Sequence, residues 1–184
     1  LDTETGKRLF DKVYLLSQII QDVCDVDDIK SVAPFLTKAQ FQILKILSVT
    51  GTKTVSDIAA LFNVSRPAIS KTVDKLVKQH LVLRTEQETD RRSAMLSLTT
   101  LGERLIINYN GNRSRRLETM EKNFTENEMQ LFEDFIERYI NSCIDFQDGL
   151  DLVCMQCNGN FSDKCSFREL SESCYYKVRV QEKV

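Results

Sequence analysis

The stretch 54–102, TVSDIAALFNVSRPAISKTVDKLVKQHLVLRTEQETDRRSAMLSLTTLG, constrains the fold of this chain more than any other. Apolar side chains at Val55, Ile58, Ala59 and Phe62 recur at helical spacing over 54–62, and Asn63-Val64 breaks the pattern as a turn. A second helix then opens at Ser65-Arg66-Pro67. Serine is a good N-cap, and a proline in the first helical turn loses an N–H that has no partner there anyway. Two segments of strand composition follow, 81–85 and 94–98, joined by the wholly polar run 86–93. Thr99-Thr100-Leu101-Gly102 starts another helix. Helix, turn, helix, hairpin and helix in this order predict a winged helix-turn-helix, and hence a mainly α chain with a small β-wing.

The second helix carries the chemistry. By helical spacing Ile69, Val73, Leu76 and Val77 fall on one face, which leaves Pro67, Ser70, Lys71, Asp74, Lys75 and Lys78 outward. A short cationic face bearing a hydroxyl fits the major groove of duplex DNA. Lysines reach phosphates or guanine edges, and Ser70 bonds either. A solvated lysine face would be the ordinary reading of an isolated helix of this kind. The hairpin tip Asp90-Arg91-Arg92 argues against isolation: an arginine there can enter a narrowed minor groove, and Asp90 can hold a neighbouring guanidinium. The net charge of −2 over 184 residues does not itself suggest a nucleic-acid binder. Between Ser65 and Arg84, however, the cations Arg66, Lys71, Lys75, Lys78 and Arg84 are opposed only by Asp74.

Around this stretch the chain reads as helices. Residues 5–24 place Leu9, Val13, Leu16, Ile20 and Val23 on one narrow seam, suited to another helix within the subunit or in a second one. The acidic segment 26–34 reads as a loop. Thr37 caps a helix over 38–49 that ends at Gly51. A helix over 100–124 follows the wing and can bend at Gly111-Asn112. Its Arg113, Arg115 and Arg116 form a basic cluster, either solvated or close to phosphates. Thr125-Glu126-Asn127-Glu128 has the form of a capping box opening a helix over 125–146, whose wide apolar face suits intertwined terminal helices. No apolar run approaches the roughly 20 residues of a membrane span, and the amino terminus lacks a signal pattern, so a cytoplasmic protein with no membrane partner is expected.

The segment Asp90-Arg91-Arg92 with Leu98-Thr99-Thr100-Leu101-Gly102 resembles the wing signature of the MarR family of bacterial transcription regulators, an Asp-x-Arg wing followed by Leu-Thr-x-x-Gly. Val64-Ser65-Arg66-Pro67-Ala68-Ile69-Ser70 is similar to that family's recognition-helix entry. The resemblance runs from about Lys7 to Phe146. It implies a homodimer whose terminal helices interlock and whose winged lobes read a pseudo-palindromic duplex, with Asp90 and Arg92 as the wing aspartate and arginine. A small organic effector between lobes and dimer helices would also fit. The expected DNA-binding residues are Ser65, Arg66, Pro67, Ser70, Lys71, Lys75, Asp90, Arg91 and Arg92. The expected divisions are a dimerisation helix and loop over 1–34, the winged lobe over 35–101, dimerisation helices over 102–148 and a tail over 149–184.

The tail departs from the family pattern. Of six cysteines, Cys154, Cys157, Cys165 and Cys174 lie within it, spaced C-x2-C-x7-C-x8-C. In a reducing compartment such a cluster points to a metal or to redox chemistry. Four thiolates suit Zn²⁺ or an iron–sulfur cluster. The knuckle-like Cys157-Asn158-Gly159 favours zinc, while the lack of a second C-x2-C pair favours a [4Fe–4S] cluster, the preferred expectation; thiol–disulfide switching is a third use. Such a centre can be a structural staple or a sensor that shifts the recognition helices. Cys24 and Cys143 lie on helical segments and read as small core residues.

Two other classes of function compete with this one. An enzyme would need more than thiols: the single histidine, His80, ends the recognition helix, and no Ser/His/Asp, phosphate-loop or paired-carboxylate arrangement is present. A winged-helix protein-interaction module with a purely structural zinc staple is the alternative, but it would not need a cationic recognition face.

Overall fold

The computed structural model describes residues 3–86 and 94–143. Helix α1 (Thr3–Gln18) runs through a π-helical turn (Ile19–Cys24) into α2 (Asp25–Val32). There follow α3 (Lys38–Thr50), β1 (Lys53–Thr54), α4 (Val55–Leu61), α5 (Arg66–Lys78), β2 (Val82–Glu86), β3 (Ala94–Leu98), α6 (Thr100–Glu121) and α7 (Glu126–Cys143). The winged helix-turn-helix expected from the sequence is present, mainly α with a small antiparallel sheet of order β1-β3-β2.

Local chemistry sets the boundaries. Thr37 and Thr54 each cap their helix in a reciprocal box, with Gln40 and Asp57 reaching back to the cap backbone. Thr99 accepts from the Gly102 amide, and Thr125 pairs with Glu128 in the same reciprocal manner. The α4–α5 turn is a Schellman ending. Asn63 adopts φ 51°, its amide bonds Ala60 O at 3.1 Å, and the Val64 amide bonds Ala59 O at 3.0 Å. His80 ends α5 the same way, with φ 58° and the Leu81 amide on Leu76 O. Its positive φ lets the backbone turn away from the helix there.

The core of the lobe joins α3, α4 and α5 to the sheet and to α6. Phe41, Leu44, Ile58, Val73, Leu76 and Leu96 are all buried. In β2–β3 the register pairs Val82 with Leu98 and Arg84 with Leu96. The start of β2 is closed over by α6, whose first turn lies so near that only a glycine fits at 102: a Cβ there would run into the Leu81 carbonyl oxygen and the Leu98 side chain. This close approach is the physical content of the Leu-Thr-x-x-Gly pattern.

One segment corrects the sequence reading. Residues 26–34 are not a loop: 25–32 form α2, packed on α6 through buried Ile29, with Ala33 buried just beyond its end. The acidic run that suggested a loop continues the helix out of the π-helical turn, with Cys24 and Asp25 both in helical backbone conformation and the Asp25 amide bonded to Ile20 O. Within that run, Asp28 is buried at 4% exposure and accepts from Arg116 Nε at 3.1 Å and Nη2 at 2.8 Å. This bond, ahead of its electrostatic contribution, raises the Arg116 pKa further, with desolvation opposing. Ser31 meets Asn112 beside it, so α2 and α6 are fastened by polar contacts as well as apolar ones. The Arg113–Arg116 segment therefore serves this joint: Arg115 bonds Asn112, and Arg113 interacts with Tyr109. Burial chiefly raises the Tyr109 pKa, keeping the phenol neutral where it packs 4.6 Å from the Phe41 ring.

Candidate nucleic-acid interface

Helix α5 is oriented by its apolar stripe: Ile69, Val73 and Leu76 are buried, so the opposite face must look out. Pro67, Ser70, Lys71, Asp74, Lys75 and Lys78 line one shallow concavity of about 480 Å³ along that face. All are exposed except Ser70, which is half-buried. The outward face expected from helical spacing is thus present residue for residue. Ser65 has the extended backbone of an N-cap, but its side chain makes no capping hydrogen bond; Ala68 and Ile69 amides bond its carbonyl instead. Its exposed hydroxyl is thereby left facing solvent at the helix entrance.

Arg66 points away from the lysine row. It lines a concavity with Asn63 and Val64 on one side, and on the other a cleft with Thr54, Val55, Ser56, Pro67, Ser70, Arg84 and Ala94. Arg84, on β2, reaches Asp74 with Nη2–Oδ1 at 3.1 Å, tying the base of the wing to the recognition helix. In the sequence Arg84 counts among the local cations but has no assigned contact. Its place opposite Asp74 depends on the α5–β2 packing, which periodicity within each element does not reveal. Asp90, Arg91 and Arg92 lie outside the described residues, as do Cys154, Cys157, Cys165 and Cys174. Cys24 is half-buried on the π-helical turn beside Arg116.

Away from the lobe, α1 and α7 leave large apolar side chains uncovered. Leu9, Phe10, Tyr14 and Leu15 on α1 and Leu131, Phe132 and Phe135 on α7 are each at least 50% exposed. A cavity of about 600 Å³ opens between the two helices, lined by Leu9, Val13, Leu16, Phe132, Phe135 and Ile136 among others. Among the described residues no helix is long and apolar enough to cross a membrane.

Fold and outward cationic helix together define a winged helix-turn-helix lobe. Residues 36–94 match the model of the MarR family. The HTH-type transcriptional regulator YpoP of Bacillus subtilis is 33% identical over 75 residues, 41% of this chain and 53% of YpoP. The HTH-type transcriptional regulator FarR of Neisseria gonorrhoeae is 28% identical over 101 residues, 55% of this chain and 69% of FarR. The chain thus spans about half the length of the first relative. In fold it is similar to the crystal structure of YusO from B. subtilis, with TM-score 0.66 and 24% identity over 77% of this chain and 98% of YusO. YpoP and FarR are both HTH-type transcriptional regulators.

Proposed function

We propose that this protein is a DNA-binding transcription regulator that reads a pseudo-palindromic duplex as a homodimer. The observation that carries the reading is the α5 face: Ser70, Lys71, Lys75 and Lys78 converge on one concavity while the opposite stripe is sealed into the core. Lysines along a groove-facing helix supply phosphate and guanine contacts, and Ser65 and Arg66 sit where the helix enters. Asp90, Arg91 and Arg92 complete the interface in this reading, as wing contacts in the neighbouring minor groove.

A second copy covering α1 and α7 is supported by their uncovered aromatic and aliphatic side chains, an apolar surface of a kind monomers rarely leave in water. Sedimentation of the whole chain tests this: a dimer is expected, and Phe135→Asp should yield monomers. A wild-type monomer at micromolar concentration contradicts it.

The regulatory part of the proposal rests on sequence. Cys154, Cys157, Cys165 and Cys174 supply four thiolates for an iron–sulfur cluster, with zinc as the competing metal, in a tail that follows α7. Gain, loss or oxidation of that centre would bias the dimer helices and so the spacing of the two α5 helices. Iron, sulfide and zinc content of anaerobically purified protein, with its visible spectrum, decides the metal. The Cys154→Ser variant should uncouple duplex affinity from metal and redox state.

A further inference from the structure

Between α5 and the base of the wing lies a second concavity, next to the lysine row. Its rim carries two guanidinium groups, Arg66 and Arg84, and its wall carries the half-buried hydroxyl residues Ser56 and Ser70. Among the described residues its lining includes no carboxylate, although Asp74 pairs with Arg84. At about 480 Å³ it has ample room for a tetrahedral oxyanion. We infer that this cleft seats one backbone phosphate of the bound duplex in each lobe, with Arg84 and Arg66 as its charged contacts and Ser70 as a hydroxyl donor. The inference rests on the DNA-binding reading proposed above and adds Arg84 to it.

Three features favour a duplex phosphate. The cleft and the lysine concavity share Pro67 and Ser70, so a helix laid in the major groove brings the strand bordering that groove to the cleft mouth. Guanidinium groups bind phosphate oxygens through paired N–H donors, and Arg84 has more donors than a single carboxylate oxygen can occupy. The Arg84–Asp74 pair is also open to water, with side-chain exposures of 36% and 51%. Such a pair contributes little in the free protein. It fixes the guanidinium in place without a large cost to sharing it with a phosphate.

The test uses the whole chain and a duplex recovered by it from a randomised pool. Arg84→Gln leaves a polar side chain at an exposed strand position and removes its charge. It should lower the slope of log affinity against log salt by up to about 0.9 for each lobe engaged, at unchanged thermal stability. Single neutral methylphosphonate substitutions should reveal one phosphate per half-site whose neutralisation costs the wild type clearly more than it costs Arg84→Gln. If Arg84→Gln keeps the wild-type slope and phosphate sensitivities while Lys71→Ala weakens binding, the cleft is not a phosphate seat and the proposed function stands. If the wild type enriches no duplex, both fail.

Discussion

Replacing Arg116 by alanine should be among the more damaging single substitutions in the described structure, although the residue lies on a helix surface far from α5. Asp28 has a side chain only 6% exposed, and both Nε and Nη2 of Arg116 donate to its Oδ1. Stripping the partner from a fully buried ion pair costs about 3–5 kcal/mol. The Arg116 side chain is itself 32% exposed, so water can enter the vacated space and the penalty falls towards that of losing charged hydrogen bonds, about 2–3 kcal/mol. Against a total stability of about 5–15 kcal/mol this is large. Urea unfolding near neutral pH, followed by far-ultraviolet circular dichroism at one fixed protein concentration, should show the loss as a lower midpoint at constant slope. Replacing the pair together, Asp28→Leu with Arg116→Met, should recover most of it, since apolar side chains remove the need for a partner. A loss below about 0.5 kcal/mol for Arg116→Ala would refute the reasoning, because that is the worth of an exposed surface pair.

Gly102→Ala drives a methyl into the Leu81 carbonyl and should cost about 1–3 kcal/mol as α6 shifts from the sheet, read as a lower unfolding midpoint; wild-type stability would show that α6 has slack. At His80, φ 58° suits glycine, so His80→Gly should be neutral or gain up to about 1 kcal/mol, whereas His80→Val should lose more than about 1 kcal/mol in the same unfolding assay. Bonds from the Thr125 backbone and side chain hold the Glu128 carboxyl below its ordinary 4.5. A depressed folded-state value means that this cap's contribution is complete above the ordinary value and is lost as pH falls through the lowered one. Helicity of α7, followed by amide resonances from about pH 6 to about pH 3, should therefore decline later in the wild type than protonation of a free glutamate would give, and Glu128→Gln should abolish that component.

Much of the lobe was legible because each element announces itself locally. Thr37, Thr54 and Thr99 are caps at the start of apolar periodicity, and Ile69, Val73 and Leu76 fix the direction of α5 without reference to anything else. What escaped depends on partners distant in sequence. The α2 helix offers a single strong apolar anchor, Ile29, and owes its place to Asp28 meeting Arg116, so its acidic composition alone suggested a loop. The two-residue strand β1 exists only as a rung against Met95 and Leu96. The π-helical turn at 19–24 adds a residue to the helical repeat, which the spacing of apolar residues in this segment did not announce. Ser65 shows the limit of residue-type reasoning: its position as a cap was right, but the backbone makes the bonds. Arg84 was visible as a charge and invisible as a neighbour of Asp74.

The central claim is that the α5 face reads duplex DNA, and the most direct measurement is enrichment from a randomised duplex pool followed by affinity against salt for the wild type and Lys71→Ala/Lys75→Ala. A recovered pseudo-palindrome, bound with a steep salt slope that the double variant reduces by about two units per lobe, is the predicted result. A wild type that recovers no sequence, or whose binding is indifferent to the loss of both lysines, would contradict it.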